Sequence, residues 1–178
     1  QKDNLKATIF AVTGKIQDNN SRSTFEAELD LKNERSLDNF MSWKQMRIME
    51  KSGLIDIQAH THYHYKEGEN WGDKGNMSYP EELKLCKDVI TQQLSKQDLF
   101  IAWPWGEYTD ESIKAAQEAG FKGAATTEVG SNEFGSSGMR IKRFKVYRED
   151  LGWFRKKLAL YSSPWRAKFY ASFYGLDR

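Results

Sequence analysis

All three histidines of this chain fall within five residues, His60-Thr61-His62-Tyr63-His64. Neutral imidazole is the commonest side-chain ligand for zinc and similar ions. Two ligands four residues apart reach one ion if the chain turns after the first. If the strand ran on straight, His60, His62 and His64 would share one face. If it turns after Thr61, His60 and His64 converge and His62 is spare. Spacing alone leaves both arrangements open. A single histidine here would read as a surface residue at a strand end. Three in so short a stretch, with none elsewhere, point to a metal.

The elements around the cluster must present it. Ile55 and Ile57 give Ile55-Asp56-Ile57-Gln58-Ala59 the β-branched pattern of a strand leaving a core for a polar turn. Upstream, the mostly apolar Leu5 to Val12, closed by Gly14, reads as an interior parallel strand. Residues 17–35 are polar and read as a surface excursion. Ser42-Trp43-Lys44-Gln45 is a capping box. Trp43, Met46, Ile48 and Met49 then carry a helix to Gly53, a C-terminal cap. Downstream, residues 65–77 read as a loop. Ser78-Tyr79-Pro80-Glu81 opens a helix with a cap, an early proline and acidic residues in its first turn. Leu83, Cys86, Val89, Ile90 and Leu94 recur at helical spacing to about Lys96.

The pattern then repeats. Leu99 to Trp103 is a strand broken by Pro104. Thr109-Asp110-Glu111-Ser112 starts a helix that ends at Gly120, and Phe121 to Thr127 is a further strand. A Gly/Ser loop over 128–138 precedes a short strand, Ile141 to Tyr147. Asp150 caps a last helix, Leu151 to Leu160. The tail over 161–178 is aromatic and basic and reads as a helix packed on the rest. Repeated β-α units imply a parallel sheet with right-handed crossovers. Sites in such sheets lie at the carboxyl ends of the strands. The histidines sit at one such end, and Pro104-Trp105-Gly106 sits at another.

The chain has 178 residues, enough for one domain with a real core. A 39% hydrophobic and 29% charged composition excludes a disordered chain. Cys86 is the only cysteine, so no internal disulfide can form. The net charge of +2 argues neither for nor against a polyanionic partner. No apolar run approaches membrane-spanning length. The chain opens on Gln1 rather than Met and carries no signal-peptide pattern, so it reads as processed or partial.

Four stretches resemble the polysaccharide deacetylases (NodB homology, carbohydrate esterase family 4). His60-Thr61-His62-Tyr63-His64 is similar to the family's His-(Ser/Thr)-x-x-His metal motif and follows a Gly53 to Ile57 approach. Trp103-Pro104-Trp105-Gly106 resembles its Arg-x-Pro-aromatic-Gly motif. Gly120-Phe121-Lys122-Gly123-Ala124-Ala125-Thr126-Thr127 resembles the strand that comes next. Ile141-Lys142-Arg143 is similar to the strand carrying the fourth motif. The likeness runs from about Leu5 to Leu160. Ala102 stands where the family has its arginine. That change, with Trp103 before the proline, resembles the branch acting on poly-N-acetylglucosamine. The family's Thr-Phe-Asp-Asp motif is missing, and neither Asp3, Asp30 nor Asp56 sits in a matching context.

The resemblance implies a distorted (β/α)7-type barrel lacking its first strand, as a single, N-terminally incomplete domain. It implies hydrolysis of a sugar N-acetyl amide with a divalent metal, zinc or else cobalt or nickel. His60 and His64 would be two ligands, and the third ligand and the catalytic base would lie outside this sequence. The backbone N–H of Trp105 would stabilise the oxyanion, and Arg143 would hold a carboxylate near the site. Trp103, Pro104, Trp105 and Tyr63 would contact sugar, with core packing an equal reading for Trp103. The expected partner is an N-acetylated polysaccharide, with no nucleic acid. The expected location is secreted or on a bacterial surface. The competing reading is a non-catalytic carbohydrate-binding relative; a scaffold that binds metal independently of sugar is a third.

Overall fold

The computed structural model describes residues 4–16, 40–64 and 77–174, without the side chains of 171 and 174. The expected excursion over 17–35, most of the loop over 65–77, Asp3, Asp30 and the last four residues lie outside the described residues. Four strands form one parallel sheet in the order β1-β2-β3-β4: β1 Ala7–Ala11, β2 Ile55–Ala59, β3 Phe100–Ala102 and β4 Gly123–Ala125. The helices are α1 Trp43–Lys51, α2 Tyr79–Leu94, α3 Asp110–Glu118, α4 Leu151–Tyr161 and α5 Pro164–Tyr174. The β-α alternation read from the sequence is the architecture found.

Local chemistry sets the helix ends. The Ser42 hydroxyl accepts from the N–H of Gln45, and the Gln45 side chain accepts from the N–H of Ser42. Ser78 with Glu81 and Thr109 with Ser112 do the same for α2 and α3. Asp150 caps α4 through the N–H groups of Gly152 and Trp153. Each such cap is worth about 1 kcal/mol. Gly53 and Gly120 take the left-handed backbone (φ +67° and +83°) that stops α1 and α3.

The core forms where the apolar stripes of α1, α2 and α3 meet the sheet. Trp43 and Met46 come from α1, Leu83, Cys86 and Ile90 from α2, and Ala115 and Ala116 from α3. Ile57, Ala59, Ile101 and Ala124 meet them from the strands. Burying each large aliphatic side chain contributes about 1.5–3 kcal/mol. The register pairs Ala11 with Ala59, Ala59 with Ile101 and Ala102 with Ala125, so the strands finish together along one edge.

Two expectations are corrected. Among the described residues β1 pairs only with β2, so it is an edge strand, and Leu5, Ala7 and Thr8 are exposed. Residues 141–147 do not form a strand. Ile141 makes a single parallel bridge to Ala125, and Arg143 N donates to Glu128 O at 2.8 Å before the chain departs. Lys145, Val146 and Tyr147 then lie exposed, so nothing repays a longer ladder. The tail, expected as a helix packed on the rest, is α5; it packs on α4, Lys168 pairs with Glu133 at 2.6 Å, and Trp165, Phe169 and Phe173 stay exposed.

Candidate functional site

Every strand delivers a residue to the carboxyl edge: Thr13 beyond β1, His60 beyond β2, the Pro104 turn beyond β3 and Thr126 beyond β4. Here the chain turns after His60. Thr61 and His64 both adopt left-handed backbone (φ +62° and +64°), which a β-branched residue such as Thr61 rarely does. The turn brings His60 Nε2 within 3.1 Å of His64 Nε2, with the rings near edge-to-face. Of the two arrangements left open by spacing, the one pairing His60 and His64 is found.

His60 Nδ1 donates to the carbonyl of Ala102 at 2.7 Å, leaving Nε2 as the bare lone pair. Burial lowers the His60 pKa, the Ala102 bond opposes this, and the charges of Arg143 and Lys15 lower it further. His60 is therefore held neutral, the form that binds a cation. His62 turns aside, its Nδ1 lying 2.7 Å from Thr13 Oγ1, and burial lowers its pKa as well. Two imidazole nitrogens converging from one turn, one with its tautomer fixed, fit a divalent metal. Among the described residues no set of three His, Cys, Asp or Glu side chains is placed to hold one. Asp56 is committed elsewhere, to Lys96 and to Gln58 Nε2 at 2.9 Å.

The β3 turn faces His64. The Trp105 ring lies 4.3 Å from the His64 ring, is 54% exposed, and sits on left-handed backbone (φ +56°). Gly106 follows at φ +80°, where a Cβ would stand 2.0 Å from Thr127 Oγ1, so only glycine closes this turn. Pro104 is buried and fixes the turn's entry. Tyr63 is half-buried with its ring against that of His62.

For Trp103 the core-packing reading describes its place in the structure. It is 1% exposed, stacks on Tyr108 and belongs to the core cluster. Arg143 reaches the same edge. Its Nε donates to Thr126 O at 2.6 Å and its guanidinium lies over Phe10, with no carboxylate bound to it among the described residues.

Glu82, in the first turn of α2, was legible only as a helix-end acid, yet it is fully buried beneath the histidine turn. Its Oε1 accepts from the backbone N–H groups of His62 and Tyr63, the latter at 2.8 Å. Burial pushes its carboxyl above the usual range, and bonds from Tyr63, His62 and Thr61 pull part of that back. A cavity of about 730 Å³ lies apart from the histidines, lined by Phe144, Tyr147, Trp153, Tyr161 and several lysines.

Residues 1–124 match the family model described as polysaccharide deacetylase. The chain belongs to the polysaccharide deacetylase family. It is 26% identical over 128 residues to the poly-beta-1,6-N-acetyl-D-glucosamine N-deacetylase of Staphylococcus aureus MRSA252, covering 68% of this chain and 39% of the relative. The Staphylococcus epidermidis protein of that name is 24% identical over 150 residues, 82% of this chain and 47% of the relative. The chain thus spans less than half the length of these relatives. Among solved structures it resembles the Streptococcus pyogenes deacetylase PplD in complex with acetate. That match has TM-score 0.67 and 22% identity, covering 92% of this chain and 61% of the other. IcaB from Ammonifex degensii matches with TM-score 0.60 and 17% identity, over 88% and 62%. These two likenesses establish the fold.

Proposed function

We propose that this chain belongs to a metal-dependent hydrolase that removes N-acetyl groups from an N-acetylglucosamine polymer of the cell envelope or biofilm. The observation that carries the reading is the convergence of His60 and His64 at the edge where β3 delivers Trp105. The sequence relatives, named as poly-N-acetylglucosamine deacetylases, support the substrate class. The protein then acts outside the cell or on its surface.

In this reading His60 and His64 hold a divalent cation, zinc or else cobalt or nickel. Such an ion supplies Lewis-acid polarisation of the amide carbonyl and a water of lowered pKa. The backbone N–H of Trp105 donates to the carbonyl oxygen as it gains charge. The exposed Trp105 ring and the Tyr63 ring flank the sugar, and Pro104 holds the β3 turn in place. Arg143 orients a carboxylate brought to this edge from outside the described residues. The third ligand and the base come from the same source.

Acetate release from N-acetylglucosamine oligomers tests the proposal, on this chain and on one extended at its amino end. Release that stops on chelation and returns with zinc or cobalt is expected from the extended chain. One observation favours a carbohydrate-binding relative instead: the cavity lined by Tyr147, Trp153 and Tyr161 offers aromatic faces away from the histidines. Oligomer binding without acetate release from either chain, metal still bound, would select that reading.

A further inference from the structure

Two strained residues in one four-residue turn need something to hold them. Left-handed backbone at a non-glycine residue is strained and persists only where the surroundings over-determine it. Thr61 and His64 both carry this strain. Around them, Thr13 N donates to Thr61 O at 3.2 Å and Gly14 N donates to His62 O at 2.8 Å. Thr61 Oγ1 accepts from the N–H of His64 at 3.0 Å. The N–H groups of His62 and Tyr63 point inward and both donate to the same carboxyl oxygen of Glu82.

Packing alone does not explain a carboxyl at position 82. The side chain is 0% exposed and its second oxygen, Oε2, has no partner among the described residues. A buried polar atom without a partner destabilises the fold, so an apolar side chain would fill the space more favourably. What an apolar side chain lacks is an acceptor for two successive amide groups.

We propose that Glu82 is a positioning residue: from inside the core it straps the backbone of the histidine turn and so sets the separation of the His60 and His64 nitrogens. Its bonds hold residues 62 and 63, the span between the two imidazoles, against relaxation of Thr61 to ordinary backbone. The inference rests on the metal reading given above for its functional consequence, and on backbone geometry for its structural one. Partners of this kind change metal affinity by about 10–100-fold.

The test compares Glu82→Met, which keeps the shape and removes the acceptor, with Glu82→Gln, which keeps an acceptor oxygen and removes the charge. Cobalt(II) affinity and the visible spectrum of the bound ion are read beside amide hydrogen exchange at His62, Tyr63 and His64. Glu82→Met should weaken cobalt binding by about 10–100-fold, alter the spectrum and speed exchange by about tenfold or more. Glu82→Gln should stay within about threefold of the parent on each measure. If Glu82→Met does not fold, Glu82→Asp replaces it, since withdrawing the carboxyl by one methylene breaks the same two bonds. A folded Glu82→Met (or Glu82→Asp) chain with parental cobalt affinity and spectrum overturns the proposal, as does a Glu82→Gln chain that loses as much. If neither the parent nor the chain extended at its amino end takes up cobalt, the metal reading fails by itself. The strap is then judged on exchange at His64, and it falls if the substitution leaves that unchanged.

Discussion

His60 and His62 sit two positions apart in one turn, yet their neighbours assign them different work. His60 is tautomer-fixed by Ala102 O and faces His64, whereas His62 is tied to Thr13. His60→Ala should therefore reduce zinc or cobalt affinity by more than about 100-fold, and His62→Ala by less than about tenfold, read by calorimetric titration. Equal losses would sink the assignment. Gly14 tests the same turn from the β1 side. A Cβ there would meet His62 O at 2.7 Å and the His62 ring at 3.0 Å. Gly14→Ala should push the turn outward and weaken metal binding, while costing about 1–3 kcal/mol in urea unfolding. Loss of stability with metal affinity intact would mean that the turn yields without moving the imidazoles. The five-residue cluster is visible in the sequence, but nothing local to it says which pair converges. That choice depends on Thr61 adopting backbone its own side chain disfavours.

At the scale of elements, β2 is anchored at its entry by charge and at its exit by the histidine turn. Lys96, just beyond α2, donates to Glu50 Oε1 at 2.8 Å, to Asp56 and to Ile57 O at 2.9 Å, joining α1, α2 and β2. Burial lowers the Lys96 pKa, but bonds to Asp56 and Glu50 outweigh it and leave the value raised. Lys96→Met should cost about 1–2 kcal/mol, modest because Asp56 is half exposed. The sign of its pH dependence follows from the raised value. The stabilisation is whole below the ordinary lysine pKa of about 10.4 and fades as pH rises through the folded value. Alkaline unfolding curves of the parent and the variant should thus converge at high pH; a constant gap would place the effect in packing. Most helix boundaries were legible, because capping boxes at Ser42, Ser78 and Thr109 are short-range chemistry. Glu82 was not read as buried, although it stands four residues before Cys86 and eight before Ile90 on the inward stripe. The Ile141 segment misled because its alternation describes a strand that finds only one bridge.

Across the whole molecule, the core belongs to the sheet and α1 to α3. Among the described residues none of α4 or α5 joins that core cluster, although Ala167 of α5 is buried, and these helices meet the rest through aromatic contacts such as Phe144 on Tyr161 and Tyr147 on Trp153. A chain ending at Glu149 should keep its metal affinity and lose less than about 1 kcal/mol of stability, while losing the aromatic cavity. Unfolding of the sheet on truncation, seen by circular dichroism, would place part of the core in the hairpin. What the sequence by itself determined was the alternation of strands and helices, the caps, and the presence of histidines at a strand end. Those are properties of neighbours in the chain. The tertiary structure decided that His60 pairs with His64, that Trp103 fills the core, and that Glu82 braces the turn. The physical reason is distance along the chain. Glu82 and Ala102 lie 20 and 42 residues from the groups they fix, and only packing brings them there.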